Sequence, residues 1–108
     1  MWVFLRDSYL SIVDKGDDTG QTLLVRARRA GDIEAVFPKA EVIEGAGTDY
    51  RYRARIDREQ VAQAMADQVR GIRYGNFKAA IKDRDRHDAC MRVWDAMYAF
   101  QEGGRRRR

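Results

Sequence analysis

The sequence predicts an α+β fold, an antiparallel sheet of about five strands with helices packed on one face, loosely ferredoxin-like. Three observations predict it. Apolar and charged residues alternate through Tyr50-Arg51-Tyr52-Arg53-Ala54-Arg55-Ile56, the period of a strand. Val61, Met65, Val69 and Ile72 recur at helical spacing, the stripe of a helix that lies on a core. Strand-like runs occupy most of the first half and helical patterns the second, an order that favours antiparallel pairing with helices gathered to one side.

Taken in chain order, Trp2 to Leu5 and Tyr9 to Val13 flank the polar Arg6-Asp7-Ser8 and read as a hairpin. Asp14 to Gly20 is rich in Asp and Gly, which is loop chemistry. Gln21 to Arg29 resumes as a third strand. Asp32 is placed to cap a short helix from Ile33 to Phe37, which Pro38 stops because it has no N–H to donate. Glu41 to Glu44 and Tyr50 to Ile56 form a second hairpin around a turn at Gly45-Ala46-Gly47. Asp57-Arg58-Glu59-Gln60 has the spacing of a capping box and opens the amphipathic helix. From Phe77 to Phe100 two apolar stripes are separated by the charged run Lys82 to Asp88, so two helical segments are expected, the second capped by Asp83 or Asp85.

The chain has 108 residues, the size of one domain. We expect that domain over 1–102, followed by a flexible Gly-Gly-Arg tail over 103–108. A net charge of +4 invites a nucleic-acid reading, but without the four terminal arginines the chain carries 17 basic and 17 acidic residues. Any basic surface must therefore be local. Cys90 is the only cysteine, so no internal disulfide forms, and the opening residues lack the pattern of a secretory leader. The expected compartment is the cytoplasm, with no membrane partner.

The sharpest feature is the alternating strand. Its period puts Arg51, Arg53 and Arg55 on one face and Tyr50, Tyr52, Ala54 and Ile56 on the other. Arg26 and Arg28 alternate likewise with Val25 and Ala27, so five arginines can share one side of the sheet. A guanidinium is a permanent forked donor that grips phosphate or carboxylate with two bonds, and neighbouring aromatics such as Tyr50 and Tyr52 add stacking for single-stranded nucleic acid. The competing reading is a solvated strand face neutralised by Glu41, Glu44 or helix carboxylates.

His87 stands four residues after Asp83, a spacing that can hold a metal or orient a base, but two ligands do not make a site. Cys90, Trp94 and Met97 fall on one stripe and read as core, as do Trp2, Phe4 and Tyr98, with an exposed anchor as the alternative for Trp2 beside the terminus. No G-x-S-x-G context and no phosphate-binding glycine loop occurs. Acidic residues near His87 interleave with Arg84 and Arg86, and opposite charge offsets the raised pKa that a catalytic pair requires.

Several segments together resemble a family of short bacterial and mobile-element proteins: Met1-Trp2-Val3-Phe4-Leu5-Arg6-Asp7, Leu10-Ser11-Ile12-Val13, Val25-Arg26-Ala27-Arg28, Gly31-Asp32-Ile33-Glu34, Val36-Phe37-Pro38, Asn76-Phe77-Lys78 and Asp85-Arg86-His87-Asp88-Ala89. The resemblance implies a shared compact fold and brings no activity with it. It makes the stretch holding Asn76, Lys78, Arg84, Arg86 and His87 a second candidate functional segment. In size and in lacking a catalytic grouping, the chain is also similar to the small inhibitors that phages and plasmids aim at host defence, anti-CRISPR proteins among them.

The expected function is non-catalytic binding, with a protein or ribonucleoprotein as partner. Two alternatives stay open at this point: a nucleic-acid binder using the arginine face, and a small metal-dependent nuclease around Asp83, Asp85, His87 and Asp88. No cofactor and no metal is expected for the first two.

Overall fold

A computed structural model describes residues 1–45 and 49–103. The expected turn at Ala46-Gly47 and the arginine tail lie outside them. Five strands are present: β1 (Trp2–Leu5), β2 (Ser8–Val13), β3 (Thr22–Ala27), β4 (Ile43–Glu44) and β5 (Tyr52–Asp57). They form one antiparallel sheet in the order β1-β2-β3-β5-β4. The helices are α1 (Asp32–Val36), α2 (Arg58–Arg70), α3 (Phe77–Ala80) and α4 (Arg84–Gln101). The α+β class expected from the sequence is therefore the observed one. Two compact units divide the chain, Met1–Arg73 and the stretch from Tyr74 onward.

In the first unit, one face of the sheet is the core face. Leu10 and Ile12 of β2, Val25 and Ala27 of β3, and Ala54 and Ile56 of β5 are buried against Ile33 and Phe37 at α1 and Val61 of α2. These strand residues share a parity, as a half-buried sheet requires. The other parity carries Trp2, Ser11, Arg26, Arg53 and Ile43, which stand opposite one another in turn across all five strands. No helix of this unit packs on that second face in the core cluster.

Local chemistry sets the joins. Gly31 adopts φ of +91° just ahead of α1, a left-handed conformation that favours glycine. Asp32 is not the cap expected of it. It is the first helical residue, only 4% exposed, and its carboxylate accepts from the Tyr9 backbone N–H at 2.9 Å. The Ser8 hydroxyl donates to the Asp32 carbonyl at 2.6 Å, so α1 is tied to β2 from both sides.

The capping box at Asp57 is also absent, since its side chain makes no capping bond. Asp57 still belongs to β5, opposite Thr22, and the Arg58 N–H donates to the Gln21 carbonyl at 2.8 Å. The pairing with the β3 side thus continues through the junction into the first helical residue. In the loop after β2, Asp17 accepts from the backbone N–H and hydroxyl of both Thr19 and Thr22.

In the second unit the two expected helical segments are present. Asn76 caps α3 by accepting from Ala79 N–H at 3.1 Å, and Asp83 caps α4 by accepting from Arg86 N–H at 2.8 Å. Of the stripe expected to be core, Cys90 and Met91 are half-buried while Trp94, Met97 and Tyr98 are exposed, as are Val93 and Phe100 beside them, Phe100 at 74%. A short α3 cannot cover an 18-residue partner. Among the described residues no helix is long and apolar enough to cross a membrane.

Candidate binding face

The second side of the sheet, opposite the core face of this unit, brings most of the expected arginines together. Arg26 and Arg53 are cross-strand partners, and Arg55 stands opposite Leu24 on the same face. Arg55 reaches the Thr22 hydroxyl at 3.3 Å and lies over Gly16, where a Cβ would come within 2.7 Å of its guanidinium. Gly16 also has φ of +86°, so the backbone calls for glycine there, while the Arg55 guanidinium, the far end of a flexible side chain, can give way. Arg28 lies just past β3, and Arg51 is exposed ahead of β5.

Tyr50 departs from expectation. Continuous alternation would put it on the core side with Tyr52, but β5 begins only at Tyr52, and the parity rule stops where the strand does. Its ring instead joins the arginine face and is only 5% exposed. The guanidinium carbons of Arg26 and Arg28 lie 4.6 and 4.0 Å from the ring centroid, cation–π distances. Tyr52 takes its expected place against the core cluster, which removes it from the open face.

Three aromatics assigned to other roles in the sequence also belong to this face. Tyr9 pairs with Phe4 across β1 and β2, and their rings stack at 4.7 Å. Trp2 meets the edge of Tyr9 at 6.4 Å and stays 69% exposed, so it is not a core residue. Ser11, in the next row, is buried and accepts from Arg26 at 2.8 Å. The legible signal was parity: Tyr9 and Ser11 alternate with the apolar Leu10 and Ile12.

The hydroxyls of Tyr9 and Tyr50 lie 3.3 Å apart and join the aromatic and basic halves of the face. Burial, and after it the hydrogen bond and charge of Tyr50, push the Tyr9 pKa up to about 12. Burial acts on Tyr50 in the same sense. There, however, the hydrogen bonds with Tyr9 and Ser11 and the charges of Arg28 and Arg26 outweigh it and lower the pKa. Arg28 pairs with Asp49 at 3.2 Å, chiefly through hydrogen bonding, which raises the arginine and lowers the carboxyl.

The second candidate segment has a different character. Asn76 serves as a helix cap, Lys78 stands 4.7 Å over the Trp94 ring, and Arg84 begins α4. The Arg86 backbone N–H is taken by the Asp83 cap. His87 Nδ1 faces Asp88 at 3.6 Å rather than the Asp83 carboxylate. Among the described residues no group of three or more His, Cys, Asp or Glu is placed to hold a metal ion. Burial raises the Cys90 thiol above its ordinary value, the opposite of what activates a nucleophile. On the core side, a cleft of about 600 Å³ runs between Phe37-Pro38 and Gln60 and Gln63 of α2, and its described wall includes no histidine or cysteine.

Comparison with family models, with curated proteins and with solved structures found no match.

Proposed function

We propose that this chain is a non-catalytic binding protein whose open sheet face takes single-stranded nucleic acid, free or displayed by a ribonucleoprotein. The observation that carries the reading is the gathering of aromatic rings and guanidinium groups on one face of the sheet. Trp2, Phe4 and Tyr9 hold one side of it, and Arg26, Arg28, Arg53 and Arg55 the other.

Antiparallel sheets that read single strands stack bases on sheet aromatics while basic side chains follow the backbone. With strands roughly 4.8 Å apart, the step from β1 to β5 spans about 14 Å, room for a base at one edge and phosphates further in. A near-neutral fold with one basic patch also fits a partner whose charge is local to the docking site.

Fluorescence anisotropy with labelled single-stranded RNA and DNA at graded salt tests this. Affinity should fall steeply as salt rises. In the Arg26→Ala/Arg53→Ala double variant, the slope of log K against log salt should be shallower by about 1.4, roughly 0.7 for each phosphate no longer neutralised. Trp2→Ala should weaken binding by about 1–3 kcal/mol, the worth of one stacked base. An oligonucleotide that fails to bind the intact chain at low salt would remove the proposal.

A further inference from the structure

Arg28 holds a carboxylate seated squarely in its fork. Its Nη1 donates to Asp49 Oδ1 and its Nη2 to Oδ2, both at 3.2 Å, and Nη1 also approaches the Asp49 carbonyl at 3.4 Å. Both side chains are half-exposed or more, at 50% and 75%. The guanidinium has a second contact besides Asp49, because it rests 4.0 Å over Tyr50, whose hydroxyl lies 3.3 Å from that of Tyr9. The acceptor is solvent-exposed, and the donor has a fixed seat.

A phosphodiester offers two non-bridging oxygens in the arrangement by which a carboxylate engages such a fork. An exposed ion pair contributes little, so an incoming phosphate can displace Asp49 at small cost. We infer that Arg28 is a phosphate-binding subsite of the open face, and that Asp49 occupies it as an internal stand-in until the phosphodiester of a single strand takes its place. The inference rests on the nucleic-acid reading above and adds a self-occupied position to it. Tyr50 then keeps the guanidinium in place while the anion changes.

The test is a double-mutant cycle on Arg28 and Asp49, read by anisotropy with an oligonucleotide of about ten uridines. Asp49→Asn keeps the shape of the side chain and removes its charge. It should tighten binding by about two- to fivefold, the equivalent of a surface ion pair, and steepen the salt slope by up to about 0.7. In the Arg28→Ala background the same substitution should change nothing. Unchanged or weaker binding by Asp49→Asn, with the wild-type chain binding through Arg26 and Arg53, overturns the inference and leaves the broader proposal standing. A gain of equal size with and without Arg28 also overturns it, because the effect is then one of general charge. Absence of binding by both wild type and Asp49→Asn overturns the two together.

Discussion

Asp32 shows how much a single buried carboxylate can do in a small sheet. It sits at the start of α1, where the helix dipole favours negative charge, and accepts from a backbone N–H of β2. It thereby fixes the one helix that covers Leu10 and Val25 from the β2 side. Asp32→Ala leaves the partly buried Tyr9 N–H without this acceptor, for which the usual cost is about 1–3 kcal/mol. Urea denaturation should show the midpoint falling with an unchanged slope. A variant as stable as wild type would mean that water replaces the carboxylate without loss. Tyr50 makes the complementary point, since its neighbour Arg28, more than twenty positions earlier in the chain, decides its orientation along with Arg26.

At the scale of an element, the loop from Asp14 to Gly20 is organised by Asp17. The Thr22 and Thr19 hydroxyls, with their backbone N–H groups, hold the Asp17 carboxyl well below the usual carboxylate range. A carboxyl whose folded pKa lies below its unfolded value of about 3.9 stabilises the fold above that value, and the contribution is lost as pH falls through the folded pKa. Asp17→Asn should therefore melt at a lower temperature than wild type near neutral pH, and the gap should close on acidification below about pH 4. A gap constant across that range would show that the loop does not depend on the charge. The caps repeat the theme: Asn76 and Asp83 were readable because a cap is a contact over three residues, whereas at Asp57, still a strand residue of β5, no side-chain capping bond forms.

For the molecule as a whole, every residue of the core cluster lies ahead of Arg73. A chain ending at Arg73 should therefore fold alone, unfold in one cooperative urea transition, and keep its oligonucleotide affinity. If the shortened chain is unfolded instead, residues 1–102 act as the single domain that length suggests. The exposed apolar residues of α4 give the shortened chain a further expected property, lower binding of hydrophobic dyes than the full chain.

The strand periods, the amphipathic stripe of α2 and the two helix caps after Arg73 were legible without coordinates, because each depends on residues within a few positions of one another. From that alone the sequence determined the α+β class, and it determined that arginines at 26, 53 and 55 would share a parity. Which aromatic rings would stand with them was settled by register and strand ends: the β1–β2 hairpin brings Trp2 and Phe4 beside Tyr9, and Tyr50, ahead of the late start of β5, meets Arg26 and Arg28. The pairing of Arg28 with Asp49 was equally out of reach, since neither residue carries a local signal for the other. Periodicity reports which side of its own element a residue takes. Only the assembled sheet decides which elements share that side, because that depends on contacts between residues far apart in the chain.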